Sequence, residues 1–374
     1  MIRHISNLYP RINFPTYGIF LIEQMQELNK SIDIDCLILK SLFPPLTSNW
    51  KIYHSNILKS DEQYSVKQVE ILDFPKNIGL TITLAQINRS LERISWIDID
   101  LVHIHYLFPG VLITPFLIKN NIPFIVHIHG SDWNQFRKRK KLKSLIEKAL
   151  DEAKLLLFSG SENYEDAQLL YGSKSILLKN GINFRAIDLI NEQKEINKKS
   201  IEIITVANVV KVKGLEKLAI FANYKFKIPI TINIYGEIIE SRIHKQLIAL
   251  FSSSINKIIF HKTLAKNELL IKLKLADFYV HTSINESFGI AVMEAMYAGI
   301  PIIATNTGNV QNYAENSFLM KTDFKSMEKI EDFIFTLERN ESDKKKNIES
   351  LKEISLSNYS EKLINIYNKI INNE

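Results

Sequence analysis

The sequence has 374 residues, of which 46% are apolar and 24% charged, so it excludes a disordered chain and is long enough for two domains of ordinary size. A single cysteine, Cys36, excludes a disulfide framework and is typical of a reducing compartment. The formal net charge of +6 comes from one basic run at 137–143, which lacks the interleaved aromatic residues of a nucleic-acid-binding surface.

The opening residues, MIRHISNLYP, lack the apolar stretch of a secretory signal. The longest apolar run, 101–118, is interrupted by two histidines, two prolines and a glycine. A strand, a loop and a helix start explain this run better than a bilayer span does. We therefore expect a soluble, cytoplasmic protein.

Short apolar strands alternate with amphipathic helices in the first half, the pattern of a doubly wound α/β domain. The predicted strands are Ile2–Ser6, Ile34–Leu39, Leu101–His105, Phe124–His129 and Leu155–Ser159. The predicted helices are Ile19–Asn29, Ile78–Arg93 and Leu142–Ala153. A polar stretch without glycine, 190–200, is predicted to link this half to the next.

Two places in the first half are candidates for ligand contact. Gly18 lies in a loop after the first strand, where a glycine entering a helix can pass under a diphosphate. His129 ends an apolar strand immediately before Gly130 and should face the ligand-binding edge of a parallel sheet. Asp132, in the same turn, is expected to orient His129 or to contact an acceptor. His127 lies one step deeper and is predicted to be a packed core histidine.

Six basic residues fall close together after this turn: Arg137, Lys138, Arg139, Lys140, Lys141 and Lys143. Basic residues near anionic headgroups contribute about 1 kcal/mol each to membrane binding. The run therefore predicts peripheral contact with an anionic membrane. A solvated helix face remains an equal alternative.

The strand and helix alternation restarts at residue 201. The predicted strands are Ile201–Val206, Ile230–Tyr235, Ile258–Phe260, Phe278–His281 and Ile302–Thr305. The predicted helices are Leu215–Lys225, Arg242–Phe251, Glu268–Leu275 and Ile290–Ala298. Beyond Asp323 the sequence is charged and helical, so a second domain of the same class is followed by terminal helices.

The turn after the strand at 201–206 runs from Asn208 to Lys213 and Gly214. A lysine at a strand-to-helix turn can bind a diphosphate through charge-assisted hydrogen bonds, worth about 1.5–3 kcal/mol each. Lys213 is the candidate here, with Lys211 as the weaker alternative. A surface lysine at a helix start is the alternative interpretation.

Residues 281–305, HTSINESFGIAVMEAMYAGIPIIAT, hold two carboxylates where carboxylates are costly. Glu286 follows a short apolar strand, and Glu294 lies eight positions on within an apolar helix. A buried unpaired carboxylate costs several kcal/mol, roughly, so a ligand bearing hydroxyls or a buried lysine must satisfy it. Gly289 begins the helix, and the backbone N–H groups of Phe288, Gly289 and Ile290 are expected to receive phosphate.

This string resembles the E-x7-E signature of retaining GT-B glycosyltransferases of family 4, with Glu286, Ser287, Phe288, Gly289 and Glu294 in the motif. The resemblance implies two Rossmann-like domains facing across a cleft, with a C-terminal helix crossing back to the first domain. The implied acceptor domain is 1–188 with the helix 357–374, and the implied donor domain is 200–356.

The resemblance also implies roles for particular residues. His129 and Glu286 are the expected catalytic residues, contacting the donor sugar. The expected donor-binding residues are Gly18, Asn208, Lys213, Ser287, Phe288, Gly289, Ile290 and Glu294. Asn208 stands where the family usually has an arginine, which removes one positive charge from the leaving-group site.

No metal site is predicted, because the nine histidines show no H-x3-H or H-E-x-x-H spacing. The two D-x-D pairs, at 33–35 and 98–100, each lead directly into an apolar strand. The resemblance to GT-B enzymes fits this, since they neutralise the diphosphate with protein donors. We expect no metal and no cofactor other than the nucleotide-sugar substrate.

The predicted function is transfer of a sugar, with retention, from a UDP- or GDP-linked donor to a hydroxyl acceptor. The Lys-, Ile- and Asn-rich composition is typical of AT-rich bacterial genomes and favours a glycan or lipid-linked glycan of a bacterial surface polysaccharide. Two alternatives remain open: a non-catalytic paralogue that binds a partner, suggested by Asn208 and Gln311, and a nucleotide-sugar 2-epimerase.

Overall fold

The computed structural model describes residues 1–42, 55–58, 64–72, 79–136, 139–190, 200–335 and 340–372. Contacts divide the chain into two compact units, Met1–Gly181 joined by Leu356–Glu374, and Ile182–Ser355. The final helix therefore packs with the first unit, as the resemblance implied. The expected linker at 190–200 lies outside the described residues except at its two ends.

The first unit is built on a seven-stranded parallel sheet with the strand order β3-β2-β1-β4-β5-β6-β7. Every residue of β1, β4 and β5 is buried, as expected for central parallel strands covered on both faces. The strands are β1 (Ile2–Ser6), β2 (Ile34–Ser41), β3 (Ser65–Ile71), β4 (Leu101–His105), β5 (Phe124–Ile128), β6 (Leu156–Phe158) and β7 (Ser175–Leu177).

Helices cover both faces of this sheet. One face packs against α1 and α15, through Leu21 and Met25 of α1 and Leu363 and Tyr367 of α15. The helices of this unit are α1 (Ile19–Leu28), α2 (Leu80–Leu91), α3 (Leu107–Gly110), α4 (Thr114–Lys119), α5 (Ser131–Phe136), α6 (Lys143–Glu152), α7 (Ser161–Tyr171) and the C-terminal α15 (Leu356–Ile371).

The second unit is built on a six-stranded parallel sheet with the order β10-β9-β8-β11-β12-β13. Its strands are β8 (Ile201–Val206), β9 (Ile230–Tyr235), β10 (Lys257–His261), β11 (Phe278–His281), β12 (Ile302–Ala304) and β13 (Leu319–Lys321). Its helices are α8 (Arg185–Asp188), α9 (Ala219–Asn223), α10 (Ser241–Phe251), α11 (Lys266–Leu275), α12 (Ile290–Tyr297), α13 (Met327–Phe335) and α14 (Glu341–Leu351).

Each sheet changes winding direction beside its first strand. In the first unit β1 lies between β2 and β4, and in the second unit β8 lies between β9 and β11. At such a switch point the loops leave the carboxyl ends of neighbouring strands in opposite directions and open a crevice that binds ligands. The candidate site residues of each unit lie at this edge.

The sequence prediction missed β3, β7 and β13, which all lie at sheet edges. An edge strand buries little surface. In β3 (SVKQVEI) Ser65 and Lys67 are exposed, so its sequence has no continuous apolar run. The predicted helix at 215–225 is not one continuous α-helix, because a 3-10 turn at Leu215–Leu218 precedes α9. Among the described residues, none of the helices is long and apolar enough to span a bilayer.

Candidate active site

The turn after β8 brings Lys213 to the loop that follows β11. Lys211–Lys213 form a 3-10 turn, and Gly214 ends it with a φ of 57°, a conformation that favours glycine. A Cβ atom on Gly214 would lie 2.5 Å from the carbonyl oxygen of Thr282. Glycine at this position therefore allows the two loops to approach closely enough for Lys213 to contact Glu286.

Lys213 and Glu286 form an ion pair with 2.5 Å between Nζ and Oε2, and Ser283 Oγ donates to the same oxygen from 3.3 Å. Burial by itself would raise the pKa of Glu286, but Lys213, His281 and Ser283 together hold it below its ordinary value. Glu286 is therefore an anion at neutral pH, and about a sixth of its side chain is exposed.

Glu294 of α12 is 4% exposed, and the Lys266 ammonium at the start of α11 pairs with its carboxylate. The sequence analysis left a ligand or a lysine as the partner, and the structure supplies the lysine. Lys266 was missed because a lysine in KNELL resembles any charged residue at a helix start.

The start of α12 presents backbone donors. Gly289 has a φ of 86°, and a Cβ atom there would lie 2.9 Å from Val292 Cγ1, so the backbone conformation requires glycine. The backbone N–H groups of Phe288, Gly289 and Ile290 donate to none of the residues that the structure describes. The N-terminus of α12 is thus available for an anion.

Asn208 and Lys217 lie at the same edge. Asn208 is exposed, and its Oδ1 accepts a hydrogen bond from the backbone N–H of Glu237 at 2.9 Å, so it ties the β8 loop to the β9 loop. Lys217 donates from Nζ to the Thr282 carbonyl at 2.7 Å, and burial lowers its pKa. The sequence analysis did not single out Lys217, which is the second cation near the Lys213 turn.

His129 in the first unit is half-buried, and its two ring nitrogens contact the side chains of His105 and Ser159. Nε2 lies 3.3 Å from His105 Nδ1, and Nδ1 lies 3.3 Å from Ser159 Oγ. Burial lowers the pKa of His129 to about 3, so its imidazole is neutral at pH 7. His127 is fully buried, which confirms the prediction of a core histidine.

Asp132 is fully buried, and its carboxylate accepts hydrogen bonds from backbone N–H groups of Leu107, Gly130 and His129. Desolvation raises its pKa to about 6 against the effect of these bonds. Asp132 therefore holds the backbone of the turn at His129, while His105 and Ser159 contact the ring.

Gly18 caps α1 with a φ of 74°, and a Cβ atom there would lie 2.6 Å from the Leu8 carbonyl carbon. Backbone conformation and close packing thus account for glycine at this position. In the basic run, Arg137 and Lys138 lie outside the described residues. Lys140, Lys141 and Lys143 are exposed, and the Arg139 guanidinium lies over the Phe108 ring at 5.7 Å.

Two protein-family models match the chain in succession. Residues 52–185 match Glycosyltransferase Family 4, and residues 186–353 match Glycosyl transferases group 1. Solved structures share the fold: the chain aligns with sucrose-phosphate synthase of Thermosynechococcus elongatus at a TM-score of 0.71 and 15% identity, covering 100% of both chains. HepE of Anabaena, in complex with UDP-glucose, aligns at 0.70 and 13% identity over 99% and 100% of the two chains.

These matches and the two parallel-sheet units define a GT-B glycosyltransferase. Within that class, the chain matches a family 4 glycosyltransferase model and then a group 1 model. N-acetyl-alpha-D-glucosaminyl L-malate synthase of Bacillus anthracis is 24% identical over 66% of each sequence. The putative teichuronic acid biosynthesis glycosyltransferase TuaC of Bacillus subtilis is 22% identical over 82% of this chain and 81% of its own length.

Proposed function

We propose that this chain transfers a sugar, with retention, from a UDP- or GDP-linked donor to a hydroxyl on a glycan or lipid-linked glycan. The observation that carries the proposal is the contact of Lys213 with Glu286, at the edge where the first N–H groups of α12 donate to none of the described residues. The UDP-glucose complex of HepE supports a nucleotide-sugar donor, and the names of the two Bacillus relatives support transfer of a sugar. Retention rests on the resemblance to family 4.

Donor binding would proceed by exchange of partners in the second unit. The diphosphate would take Lys213 from Glu286 and accept hydrogen bonds from the N–H groups of Phe288, Gly289 and Ile290, beside Ser287. Glu286 would then accept from sugar hydroxyls. Glu294, released from Lys266, would accept from the ribose hydroxyls. Lys213 would exchange its carboxylate for a phosphate oxygen, and each carboxylate would exchange its ammonium for ligand hydroxyls.

Catalysis would come from stabilisation of the leaving diphosphate. As the glycosidic bond breaks, negative charge grows on the β-phosphate, where Lys213 and the N-terminus of α12 are already oriented. Lys217 would supply the second positive charge, since Asn208 carries none and would contact the donor as a neutral amide. These protein donors would replace a divalent ion, so we propose metal-independent transfer.

His129 would contribute a neutral imidazole to the donor sugar. Because burial lowers the pKa of His129, its role at neutral pH is hydrogen bonding to a hydroxyl and not proton donation. Gly18 would let the backbone approach the diphosphate, and Asp132 would act by fixing the His129 turn.

The acceptor pathway is proposed from the relatives and composition. TuaC is named as a putative glycosyltransferase of teichuronic acid biosynthesis. The present chain is rich in Lys, Ile and Asn, a composition typical of AT-rich bacterial genomes. The acceptor would be reached in the cytoplasm, at the inner face of the plasma membrane, through the basic run at 137–143.

The test measures nucleoside diphosphate release from a panel of UDP- and GDP-sugars, with and without lipid-linked acceptors and in EDTA. Release that depends on acceptor, persists in EDTA and is lost in Lys213→Met supports the proposal. Donor conversion to an epimer without acceptor would favour a 2-epimerase instead. Absence of any turnover with retained donor binding would favour a non-catalytic paralogue, the reading that Asn208 suggests.

A further inference from the structure

Five histidines meet on one face of the first sheet. They are His4 on β1, His103 and His105 on β4, His127 on β5, and His129 directly after β5. The register pairs His4 with His103 and His105 with His127, and side chains two residues apart share a face. Their rings stack against one another beneath α1 and α15. Histidine spacing along the sequence gave no sign of this cluster, because the five residues come from neighbouring strands.

The outer three rings have the spacing of a metal site. One nitrogen from each of His105, His127 and His129 lies within 4.8 Å of the other two. His105 Nδ1 and His129 Nε2 are 3.3 Å apart. Two ligands of a tetrahedral ion, each bonded at about 2.0–2.1 Å, are separated by about 3.3 Å. Two of the three nitrogens therefore already have the separation that a tetrahedral ion requires.

The other nitrogen of each ring is held by a partner. His105 Nε2 lies 2.8 Å from His4 Nδ1, and Ser159 Oγ lies 3.0 Å from His127 Nε2 and 3.3 Å from His129 Nδ1. Ser159 in turn donates to Asn180 Oδ1. When all three rings donate outward, a lone pair remains on His105 Nδ1 and on His129 Nε2, which face each other. Outer partners that fix the tautomer in this way are typical of metal-binding histidines.

His127 is the third member of this set. Its Nδ1 is buried and has no hydrogen-bond partner among the described residues. An unpartnered buried imidazole nitrogen costs about 1–3 kcal/mol, and binding to a cation would remove that cost. The fully buried Asp132 carboxylate accepts a hydrogen bond from the backbone N–H of His129, so an acidic group lies next to one member of this set.

We propose that His105, His127 and His129 bind one divalent transition-metal ion of the zinc class, leaving a fourth coordination position open. Three neutral imidazoles suit Zn²⁺, Co²⁺ and Ni²⁺ rather than Mg²⁺ or Ca²⁺. His129 is the half-buried member, so the ion would enter on its side. If the proposed function holds, the ion would bind the His129 imidazole, which would otherwise contact the donor sugar. Metal binding would therefore inhibit transfer.

The test titrates the chain, freed of any purification tag and stripped with chelator, with Zn²⁺ by calorimetry and with Co²⁺ by visible absorption. We expect one equivalent and a tetrahedral Co²⁺ spectrum. His105→Gln and His127→Gln should each weaken binding by at least about tenfold to a hundredfold. His103→Gln is the matched control, since it removes a buried ring of the same stack that is not a proposed ligand, and it should bind as the wild type does.

Ser159→Ala provides a second variant in case a glutamine variant fails to fold. It keeps all three ligands and removes the outer partner of two rings, so the affinity for Zn²⁺ should fall by about tenfold. Circular dichroism of each variant separates lost folding from lost ligation. Absence of stoichiometric binding, wild-type affinity in a folded His105→Gln variant, or an equal loss in His103→Gln would overturn the proposal. These readouts do not depend on glycosyl transfer, so the proposed function can fail independently.

Discussion

Lys213 Nζ lies 2.5 Å from Glu286 Oε2, and both groups come from loops at the carboxyl ends of the adjacent strands β8 and β11. Eight residues further along the E-x7-E string, Glu294 also pairs with a lysine, Lys266. The second unit thus neutralises its own carboxylates. A ligand that binds here must replace these contacts, and its net affinity is the difference between the two sets.

Lys213→Met should weaken the binding of a nucleoside diphosphate sugar by at least about tenfold, since a charge-assisted hydrogen bond contributes about 1.5–3 kcal/mol. The loss also leaves Glu286 negative beside the diphosphate. Calorimetry with UDP- and GDP-sugars measures the effect. Lys211→Met removes an exposed lysine from the same turn and should retain wild-type affinity. Equal affinities in both variants would contradict the site.

Lys266→Met should destabilise the second unit by about 2 kcal/mol, because it leaves the nearly buried Glu294 without its counter-ion. The double variant Lys266→Met/Glu294→Gln should recover most of that loss. Urea unfolding must be followed by circular dichroism, since all three tryptophans precede residue 182 and report on the first unit. A double variant less stable than Lys266→Met would show that the loss of stability does not come from an unpaired charge on Glu294.

Glu294→Ala should raise the donor dissociation constant, because the ribose hydroxyls lose their acceptor. A good hydrogen bond to a charged group corresponds to about tenfold or more in affinity. Binding of UDP against free pyrophosphate separates this contact from the phosphate site, since pyrophosphate has no ribose. Weakened UDP binding with unchanged pyrophosphate binding is the expected result, and an equal loss for both would place Glu294 at the phosphates instead.

His281 should make the second unit less stable in acid. Burial lowers its pKa from 6.5 to about 4, against the opposing effect of Glu286. The unfolded chain therefore takes up this proton first as the pH falls below 6.5, and the folded chain does so only near pH 4. The loss of stability should reach about 2 kcal/mol between pH 7 and pH 5.

His281→Gln should remove that part of the pH dependence. The measurement is the free energy of unfolding at pH 7 and pH 5, followed by circular dichroism for the wild type and the variant. Thr307→Val is the control: it removes the hydroxyl that lies 3.5 Å from His281 Nε2 but keeps the imidazole, so the pH dependence should persist. A variant with an unchanged pH dependence would show that His281 is not the titrating group.

His129→Ala should lower turnover more than donor affinity. One neutral hydrogen bond that strengthens as the glycosidic bond breaks contributes up to about 1.5 kcal/mol, or about tenfold in rate. Rates measured in EDTA keep any bound metal from obscuring this effect. His244→Ala, a partly buried histidine of the second unit, is the control for removal of an imidazole. Wild-type turnover would exclude His129 from the reaction.

Replacing Lys140, Lys141 and Lys143 with glutamine should weaken binding to anionic vesicles while leaving turnover of a water-soluble acceptor unchanged. Each exposed lysine near the headgroups contributes about 1 kcal/mol. Arg139 is left in place because its guanidinium lies over the Phe108 ring. Sedimentation with vesicles of increasing phosphatidylserine content measures the change. Equal vesicle binding by the wild type and the triple variant would indicate that the basic run at 137–143 is a solvated helix face.

The sequence alone determined the two α/β units and most of their central strands, because strands buried on both faces appear as continuous apolar runs. It also singled out Lys213, Glu286, Gly289 and Glu294 as candidates, since a charge beside an apolar segment and a glycine at a helix start are local signals. The edge strands β3, β7 and β13 were missed, whereas the apolar run of the edge strand β10 was predicted.

Only the tertiary structure decided which groups are partners. Lys266 lies 28 positions before Glu294, and Lys217 lies 65 positions before Thr282. The five histidines gather from separate strands through the sheet register. The physical reason is common to all three: in a parallel sheet, neighbouring strands are joined by long crossovers, so groups that meet at one edge are distant along the chain.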